Sequence, residues 1–84
     1  MEIELTSKAE RQWIRLRKNP VVFSKIELAL DEITDNPLIG KLLSGKFAGI
    51  RSFRVGDWRI LYRVELHRLI IFIISIANRK EVYR

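Results

Sequence analysis

Residues 49–84 read GIRSFRVGDWRILYRVELHRLIIFIISIANRKEVYR and contain the patterns that decide the fold. Residues 50–55 and 58–64 predict two strands, and the Gly-Asp pair between them predicts a two-residue hairpin turn. Residues 69–77 form an unbroken apolar run, which is typical of a central strand that is covered on both faces. A rigid sheet of this kind would hold the basic side chains of its strands in fixed directions.

The returning strand separates apolar from basic side chains by simple alternation. Its even-numbered positions share one face of the sheet and its odd-numbered positions share the other. The even-numbered set is Trp58, Ile60, Tyr62 and Val64, and the odd-numbered set is Arg59, Leu61 and Arg63. After the apolar run the chain becomes polar and basic, and residues 81–83 predict a short last strand. We interpret this half of the chain as a sheet that presents Arg and Tyr to an anionic partner.

The N-terminal half predicts a strand followed by two helices. Residues 2–6 alternate polar and apolar side chains and predict a short strand. Ser7 is predicted as the N-cap of the first helix, with Glu10 completing a capping box. The buried stripe predicted for this helix is Ala9, Trp13 and Leu16.

A second helix is predicted over residues 20–35. Asn19 is its expected cap and Pro20 its first residue, a position that proline favours. Its predicted apolar stripe is Val22, Ile26, Ala29, Leu30 and Ile33. The two helices are joined by almost no linker, so we expect them to form a helical hairpin.

The predicted architecture is α+β, in the order β-α-α-β-β-β. The N-terminal helical hairpin is expected to pack on one face of a mainly antiparallel, twisted sheet. Residues 38–47 contain two glycines and a serine and are predicted to be a loop. We expect residues 1–84 to form a single domain, because the chain is too short for two.

The composition is that of an ordinary globular protein, with 48% hydrophobic and 31% charged residues. No cysteine is present, which excludes a disulfide scaffold. The longest apolar run is too short to span a bilayer, and the acidic N-terminus does not resemble a secretion signal. No membrane association is therefore expected, and the predicted location is the cytoplasm.

The positive charge is concentrated in the second half of the chain. Residues 1–40 contain six Lys or Arg and seven Asp or Glu, whereas residues 41–84 contain ten and three. The second half thus carries a net charge of +7 and the first half a net charge of −1, which together give the chain its net charge of +6. This excess lies on predicted strands and favours a polyanionic partner over a merely solvated surface.

No metal ion or cofactor is expected from the residue types present. The single histidine, His67, lies in a predicted turn, and neither a second histidine nor a cysteine is available to complete a zinc site. The glycines do not have the spacing of a phosphate-binding loop.

The remaining candidates for chemistry are Arg51, Arg54, Arg59, Arg63, Arg79, Lys80 and Tyr83. Arginine binds phosphate with two parallel donors and stabilises charge that develops on it. Tyrosine can transfer a proton or stack on a base. An RNA strand supplies its own nucleophile, the 2′-hydroxyl, so such residues could cleave RNA without histidine or metal. Arginine and tyrosine are also common on strands, as surface charge and as core residues. The residue types alone favour neither this interpretation nor an RNA-cleaving site.

Two segments of the chain resemble the RelE/ParE toxin superfamily. Residues 51–62, RSFRVGDWRILY, are similar to its hairpin pattern R-x-x-R-V-G-D-[YW]-R-x-x-Y. Residues 74–83, ISIANRKEVY, are similar to its C-terminal ending I-x-x-H-R-x-E-V-Y. The predicted order of elements is also similar, so the resemblance covers essentially the whole chain.

The resemblance implies a toxin that is neutralised by a cognate antitoxin protein. RelE-like members of the superfamily are metal-independent endoribonucleases that cleave mRNA in the ribosomal A site. Their partners are therefore mRNA and the ribosome, including the 16S rRNA around that site. ParE-like members instead inhibit DNA gyrase and are not nucleases. We favour the RelE-like function, with the ParE-like function as the alternative and a plain RNA-binding module as a third possibility.

Residue by residue, the resemblance implies catalytic roles for Arg54, Arg59, Arg79 and Tyr83. Arg59 matches the arginine of the hairpin, Arg79 matches the arginine after the last long strand, and Tyr83 matches the tyrosine of E-V-Y. Further contacts to RNA are expected from Lys46, Arg51, Arg63 and Lys80.

The sequence departs from the family pattern at two positions. Ser52 stands where some RelE members have a catalytic lysine, and Asn78 stands where many relatives have histidine. Both departures concern the group that would transfer a proton.

Overall fold

The computed structural model describes residues 1–80, and this part of the chain forms two helices and five strands. The predicted α+β class is confirmed, with helices and sheet in separate layers. The predicted strand at residues 81–83 lies outside the described residues. The elements are β1 (Glu2–Leu5), α1 (Ser7–Leu16), α2 (Pro20–Asp35), β2 (Lys41–Leu42), β3 (Arg51–Val55), β4 (Trp58–Glu65) and β5 (Ile70–Asn78).

The five strands form one mixed sheet in the order β1-β5-β4-β3-β2. β1 pairs with β5 in parallel, and the other three pairs are antiparallel. β5 is therefore flanked on both sides, as its apolar sequence predicts. A two-residue turn joins β3 to β4, and Gly56 has a φ of +60° at its first position. This is the conformation of a type II′ hairpin turn, in which glycine is strongly preferred.

The main core lies between the helices and one face of the sheet. It is built from apolar side chains of α1, α2, β4 and β5, most of which are fully inaccessible to solvent. Burying each large aliphatic side chain of this kind stabilises the fold by roughly 1.5–3 kcal/mol. The core residues are Ala9, Leu16, Ile26, Ala29, Ile33, Ile60, Tyr62, Ile71, Ile73 and Ile76.

The first helix begins differently from the sequence-based prediction. Thr6, rather than Ser7, is the N-cap, and its hydroxyl accepts a hydrogen bond from the Ala9 N–H at 3.2 Å. The same hydroxyl donates to the carbonyl of Ile74 at 3.1 Å. Thr6 keeps the extended backbone at the end of β1, so it can cap the helix and contact β5 at once. The second helix has the predicted cap, because the Asn19 side chain accepts from the Val22 N–H.

The predicted loop at residues 38–47 is wrong in part. Lys41–Leu42 pairs with β3 as an edge strand, and Gly45–Phe47 forms a short 3₁₀ helix. A strand of two residues has no alternation pattern to detect, because its existence depends only on the neighbouring strand.

A β-bulge interrupts the pairing of β4 with β5. Leu61 is opposite Ser75 and Tyr62 is opposite Ile73, so Ile74 is the extra residue on β5. On the outer edge of β5, where β1 has already ended, the Gln12 side chain accepts a hydrogen bond from the Ile76 N–H at 2.7 Å. The bulge therefore has side-chain support from α1.

The sheet face opposite the helices, called the open face below, is only partly covered. A second, smaller apolar cluster on this face consists of Leu61 and Ala77 packed with Leu43, Ile50 and Ile74. Leu43 and Ile50 flank the 3₁₀ helix, so the β2–β3 connection covers only the middle of the open face. The apolar run of β5 is thus covered on both faces, by the helices on one side and by this smaller cluster on the other.

Candidate functional site

Two arginines oppose each other directly on the open face. Arg54 on β3 and Arg59 on β4 are register partners, one pair beyond the hairpin turn. Directly opposed residues of antiparallel strands have Cα atoms only about 4.5–5.5 Å apart. The neighbouring residues Phe53 and Ile60 pack into the helix-side core, so strand alternation directs both arginines away from it. Arg54 is exposed and Arg59 is half-buried.

The neighbours of this arginine pair leave space beside Arg59 and orient the side chain of Arg54. Arg59 is opposite Ala77 on its other side, and the small alanine side chain leaves room beside the guanidinium. The Nε of Arg54 donates to the Gly56 carbonyl at 3.2 Å, which directs this side chain toward the turn. Like charges at directly opposed positions destabilise a sheet, so an anion bound between the two would relieve a repulsion that the fold otherwise retains.

The end of β5 meets the same turn. The Arg79 N–H donates to the Asp57 carbonyl at 2.7 Å, which fixes the backbone at the exit of β5 against the hairpin. Arg79 and Lys80 are both exposed. Together with Asp57, Trp58 and Asn78 they line a shallow groove of about 650 Å³. The structure thus brings Arg54, Arg59 and Arg79 to one end of the sheet.

The other basic residues predicted to contact RNA are spread over the molecule. Lys46 is exposed on the 3₁₀ helix, with its Nζ 5.3 Å from the centre of the Phe47 ring. Arg63 is exposed on β4, two positions along the open face from Leu61. Arg51 lies on the helix-side face, and its Nη1 donates to the carbonyls of Gly40 at 2.9 Å and Leu38 at 3.3 Å. Its contact with RNA remains a prediction, and the structure gives it a structural role.

The two positions that depart from the family pattern have different environments. Ser52 is 7% exposed, and its hydroxyl has no hydrogen-bond partner among residues 1–80. Asn78 is half-buried, and its side-chain oxygen accepts from the Lys80 N–H at 3.2 Å. Neither side chain is an effective base at neutral pH. Tyr83, the remaining predicted proton-transfer group, lies outside the described residues.

Sequence reasoning missed the role of Tyr62, which is fully buried in the core. Its hydroxyl accepts from the Gly40 N–H and donates to the Pro37 carbonyl, both at 2.8 Å. Burial raises the pKa of this phenol, and the hydrogen bond from Gly40 and the charge of Arg51 lower that pKa by less. A Cβ at Gly40 would lie only 2.7 Å from the Tyr62 oxygen, so glycine is required there. Buried tyrosines usually find such partners, which is the signal that could have suggested this role.

The described residues contain no group of three or more His, Asp or Glu side chains able to hold a metal ion. Neither helix of residues 1–80 combines the length and apolar character that crossing a bilayer requires.

The site provides guanidinium groups on the β3–β4 hairpin and a basic strand exit beside them. Such a constellation can bind a phosphate and stabilise charge that develops on its oxygens.

The fold and the arginine pair define a small α+β protein with an arginine-rich sheet end, and comparison with known families identifies the class of protein. The model of the ParE toxin family, from the parDE type II toxin–antitoxin system, matches residues 3–83. The chain therefore belongs to this toxin family, within the RelE/ParE superfamily.

Individual relatives carry RelE-type names. Toxin RelG of Mycobacterium tuberculosis is 29% identical over 83 residues, covering 98% of this chain and 94% of the relative. Toxin RelE of the same organism is 30% identical, covering 98% and 84%.

Solved structures show the same fold. The toxin–antitoxin complex RelBE2 from M. tuberculosis matches with a TM-score of 0.80 and 29% identity, over 93% of this chain and 96% of that chain. The isolated Escherichia coli toxin RelE matches with a TM-score of 0.79 over 98% and 89%, and its 23% identity supports the fold alone.

Proposed function

We propose that this toxin is a RelE-like, ribosome-dependent endoribonuclease that cleaves mRNA in the A site and so inhibits translation. The observation that carries the proposal is the directly opposed pair of Arg54 and Arg59, beside the Arg79 strand exit. The names of the M. tuberculosis relatives RelE and RelG also support it.

The proposed chemistry is an internal transesterification of RNA. A 2′-hydroxyl attacks the adjacent phosphorus, the bond from phosphorus to the 5′-oxygen breaks, and the products are a 2′,3′-cyclic phosphate and a 5′-hydroxyl. Arg59 and Arg79 would bind the non-bridging oxygens and stabilise their increasing charge. Arg54 would hold the neighbouring phosphate. Protons must leave the 2′-hydroxyl and reach the 5′-oxygen, and Tyr83 is the proposed carrier.

Dependence on the ribosome follows from the weakness of the local bases. Ser52 and Asn78 supply no base, so alignment of the RNA must provide a large part of the acceleration. Correct alignment of reacting groups lowers a barrier by about 7–11 kcal/mol in favourable cases. The decoding site of a translating ribosome is a rigid surface against which mRNA could be aligned in this way.

The test uses purified toxin in two parallel assays. Cell-free translation of a defined mRNA, followed by mapping of new 5′ ends, should show cleavage that stops when ribosomes are omitted. Supercoiling by DNA gyrase should be unaffected at the same toxin concentrations. Inhibition of gyrase by toxin that leaves translated mRNA intact would contradict the proposal.

The second candidate function is inhibition of DNA gyrase without nuclease activity, as in ParE-like toxins. Two observations favour it: the matching family model is that of the ParE toxin, and Ser52 occupies the position at which some RelE members have lysine. Under this alternative the arginine pair would contact a protein or DNA, and no RNA product would form in the same assays.

The proposed protein partner is a cognate antitoxin, because RelBE2 of M. tuberculosis and RelBE of E. coli are toxin–antitoxin complexes. An acidic and apolar segment that covers the arginine pair would neutralise the toxin by blocking access to it.

A further inference from the structure

A second basic groove crosses the open face at the end of the sheet remote from the hairpin turn. It has a volume of about 510 Å³ and is lined by Thr6, Ile50, Arg63, Glu65, Arg68, Phe72 and Ile74. The cluster formed by Leu61 and Ala77 under the β2–β3 connection separates this groove from the arginine pair. We call it the distal groove.

The distal groove combines an aromatic ring with two guanidinium groups. Arg63 and Phe72 are register partners on β4 and β5, so their side chains stand next to each other on the open face. The guanidinium carbon of Arg68 lies 5.5 Å from the centre of the Phe72 ring. Arg63 and Arg68 are exposed and Phe72 is half-buried. An arginine over an aromatic ring, with a second arginine beside it, offers a ring edge or face on which a base can pack and guanidinium donors that can bind a phosphate.

We infer that the distal groove is a second binding site for single-stranded RNA, used by the nucleotides next to those at the arginine pair. This inference rests on the proposed function, because it takes RNA as the ligand of the arginine pair. Arg59 and Arg63 are on the same face of β4 and four residues apart, or about 13 Å along the strand. One strand of RNA that passes over the β2–β3 connection between them can contact both sites in succession.

Among the described residues, a single carboxylate lines the groove, and it determines which part of the RNA lies where. Glu65 lines the groove on the same face of β4 as Arg63. A carboxylate repels phosphate but accepts hydrogen bonds from the amino groups of bases. The RNA backbone therefore runs on the Arg63 and Arg68 side, with bases directed toward Phe72 and Glu65. An acidic peptide would meet the same repulsion from Glu65 and, without bases, would gain less from the Phe72 ring.

The test measures direct binding of RNA to the purified protein without ribosomes. The probe is a fluorescent single strand of roughly 12 nucleotides, with every 2′-hydroxyl methylated to prevent cleavage. Arg63→Gln with Arg68→Gln should weaken binding about tenfold at low salt. The slope of log affinity against log salt should fall by about 1.4, because each lost phosphate contact contributes about 0.7 for single strands. Phe72→Leu should weaken binding about fivefold to a hundredfold with little change in that slope.

The matched control removes two charges from α1 and its C-cap, on the helix-covered side of the sheet. Arg11→Gln with Arg17→Gln alters exposed positions and should leave both the affinity and the salt slope unchanged. Circular dichroism and thermal melting establish that each variant is folded.

Three results would overturn the inference. The first is wild-type affinity and salt slope in the variant with Arg63→Gln and Arg68→Gln, and the second is an absence of measurable RNA binding by the wild type. The third is loss of antitoxin binding in this variant while RNA binding persists, which would make the groove a protein interface. Failure of this inference can be told apart from failure of the proposed function. A protein that binds RNA through the distal groove but never cuts translated mRNA would refute the nuclease activity and leave the second RNA site in place.

Discussion

At the scale of single residues, Tyr62 connects the sheet to the chain segment that enters β2. Its hydroxyl bonds to Gly40 and Pro37, and Arg51 donates to the carbonyl of the same Gly40. Because Gly40 and Tyr62 are buried, the loss of the Tyr62 hydroxyl leaves the Gly40 N–H without a partner. Tyr62, the last residue of the hairpin pattern in residues 51–62, therefore has a role in folding.

We expect Tyr62→Phe to destabilise the protein by about 1–3 kcal/mol, because the Gly40 N–H would remain buried without an acceptor. Urea unfolding should show a lower midpoint with an unchanged slope. The control is Thr34→Val, which removes a hydroxyl that donates only to the Leu30 carbonyl of its own helix. A loss for Tyr62→Phe no larger than that of the control would contradict this role.

The stability should also depend on the ionisation of Tyr62. Burial raises the pKa of Tyr62 above its ordinary value, so the unfolded chain loses this proton at a lower pH than the folded protein does. The contribution is therefore complete below about pH 10, the ordinary pKa of tyrosine, and is lost as the pH rises through the folded-state value. The free energy of unfolding should fall more steeply with alkaline pH in the wild type than in Tyr62→Phe. Parallel curves for the two proteins would contradict the assignment.

At the scale of elements, the β3–β4 hairpin combines a well-formed turn with an unfavourable charge pair. Gly56 provides the positive φ that the turn requires, and Arg54 opposes Arg59 one pair further on. A hairpin selected only for stability would have an opposite charge at one of these positions. Two arginines at these positions are expected if the site serves a function that costs some stability.

We expect Arg54→Gln to raise the free energy of unfolding by about 0.2–1 kcal/mol at low salt, because it removes the repulsion from Arg59. The gain should shrink in about 1 M salt, where charges are screened within about 3 Å. Lys41→Gln is the matched control, because Lys41 opposes the neutral Ser52. The measurement is chemical unfolding at both salt concentrations, and a stability loss in Arg54→Gln at low salt would argue against repulsion.

Elements with local signals could be predicted from the sequence, and those that depend on contacts could not. The hairpin turn, the helix 20–35 with its Asn19 cap and the central position of β5 all follow from short patterns. β2 could not be foreseen, because two residues show no periodicity. The bulge at Ile74 is hidden inside an apolar run that has no polar residue to mark a change of face. At the candidate site, alternation placed Arg59 on the face opposite Trp58 and Ile60, whereas the pairing of Arg59 with Arg54 was not predicted and comes from the strand register of the structure.

At the scale of the whole molecule, the sheet divides the protein into a helix-covered face and a basic open face. The half of the chain with a net charge of +7, residues 41–84, includes the strands that form most of the open face. Only the middle of this face is covered by other side chains. Such a surface attracts polyanions of more than one kind, so both RNA and an acidic antitoxin segment are compatible with it.

Antitoxin binding should therefore depend on the open face. We expect Arg54→Gln with Arg59→Gln to weaken the complex with the cognate antitoxin more than tenfold, because the acidic segment would lose two cationic partners. The exposed helix pair Lys8→Gln with Arg11→Gln should have no effect. Calorimetric titration of both double variants gives the comparison. Equal affinities would mean that the antitoxin neutralises the toxin elsewhere.

The central claim is that guanidinium groups at the hairpin end stabilise the transition state of RNA cleavage on the ribosome. Its most direct measurement is the single-turnover rate of mRNA cleavage on programmed ribosomes for wild type, Arg59→Ala, Arg79→Ala and the control Arg11→Ala, with melting temperatures for each. Arg59→Ala and Arg79→Ala should each raise the barrier by about 2.7–4 kcal/mol, a hundredfold or more in rate. The stability of Arg79→Ala should change by only about 0.5 kcal/mol, as for surface residues, and Arg11→Ala should match the wild type. Arg59 is half-buried, so its variant is assayed at a temperature at which its melting curve shows it to be folded. Folded Arg59→Ala and Arg79→Ala variants that cleave at the wild-type rate would contradict the claim.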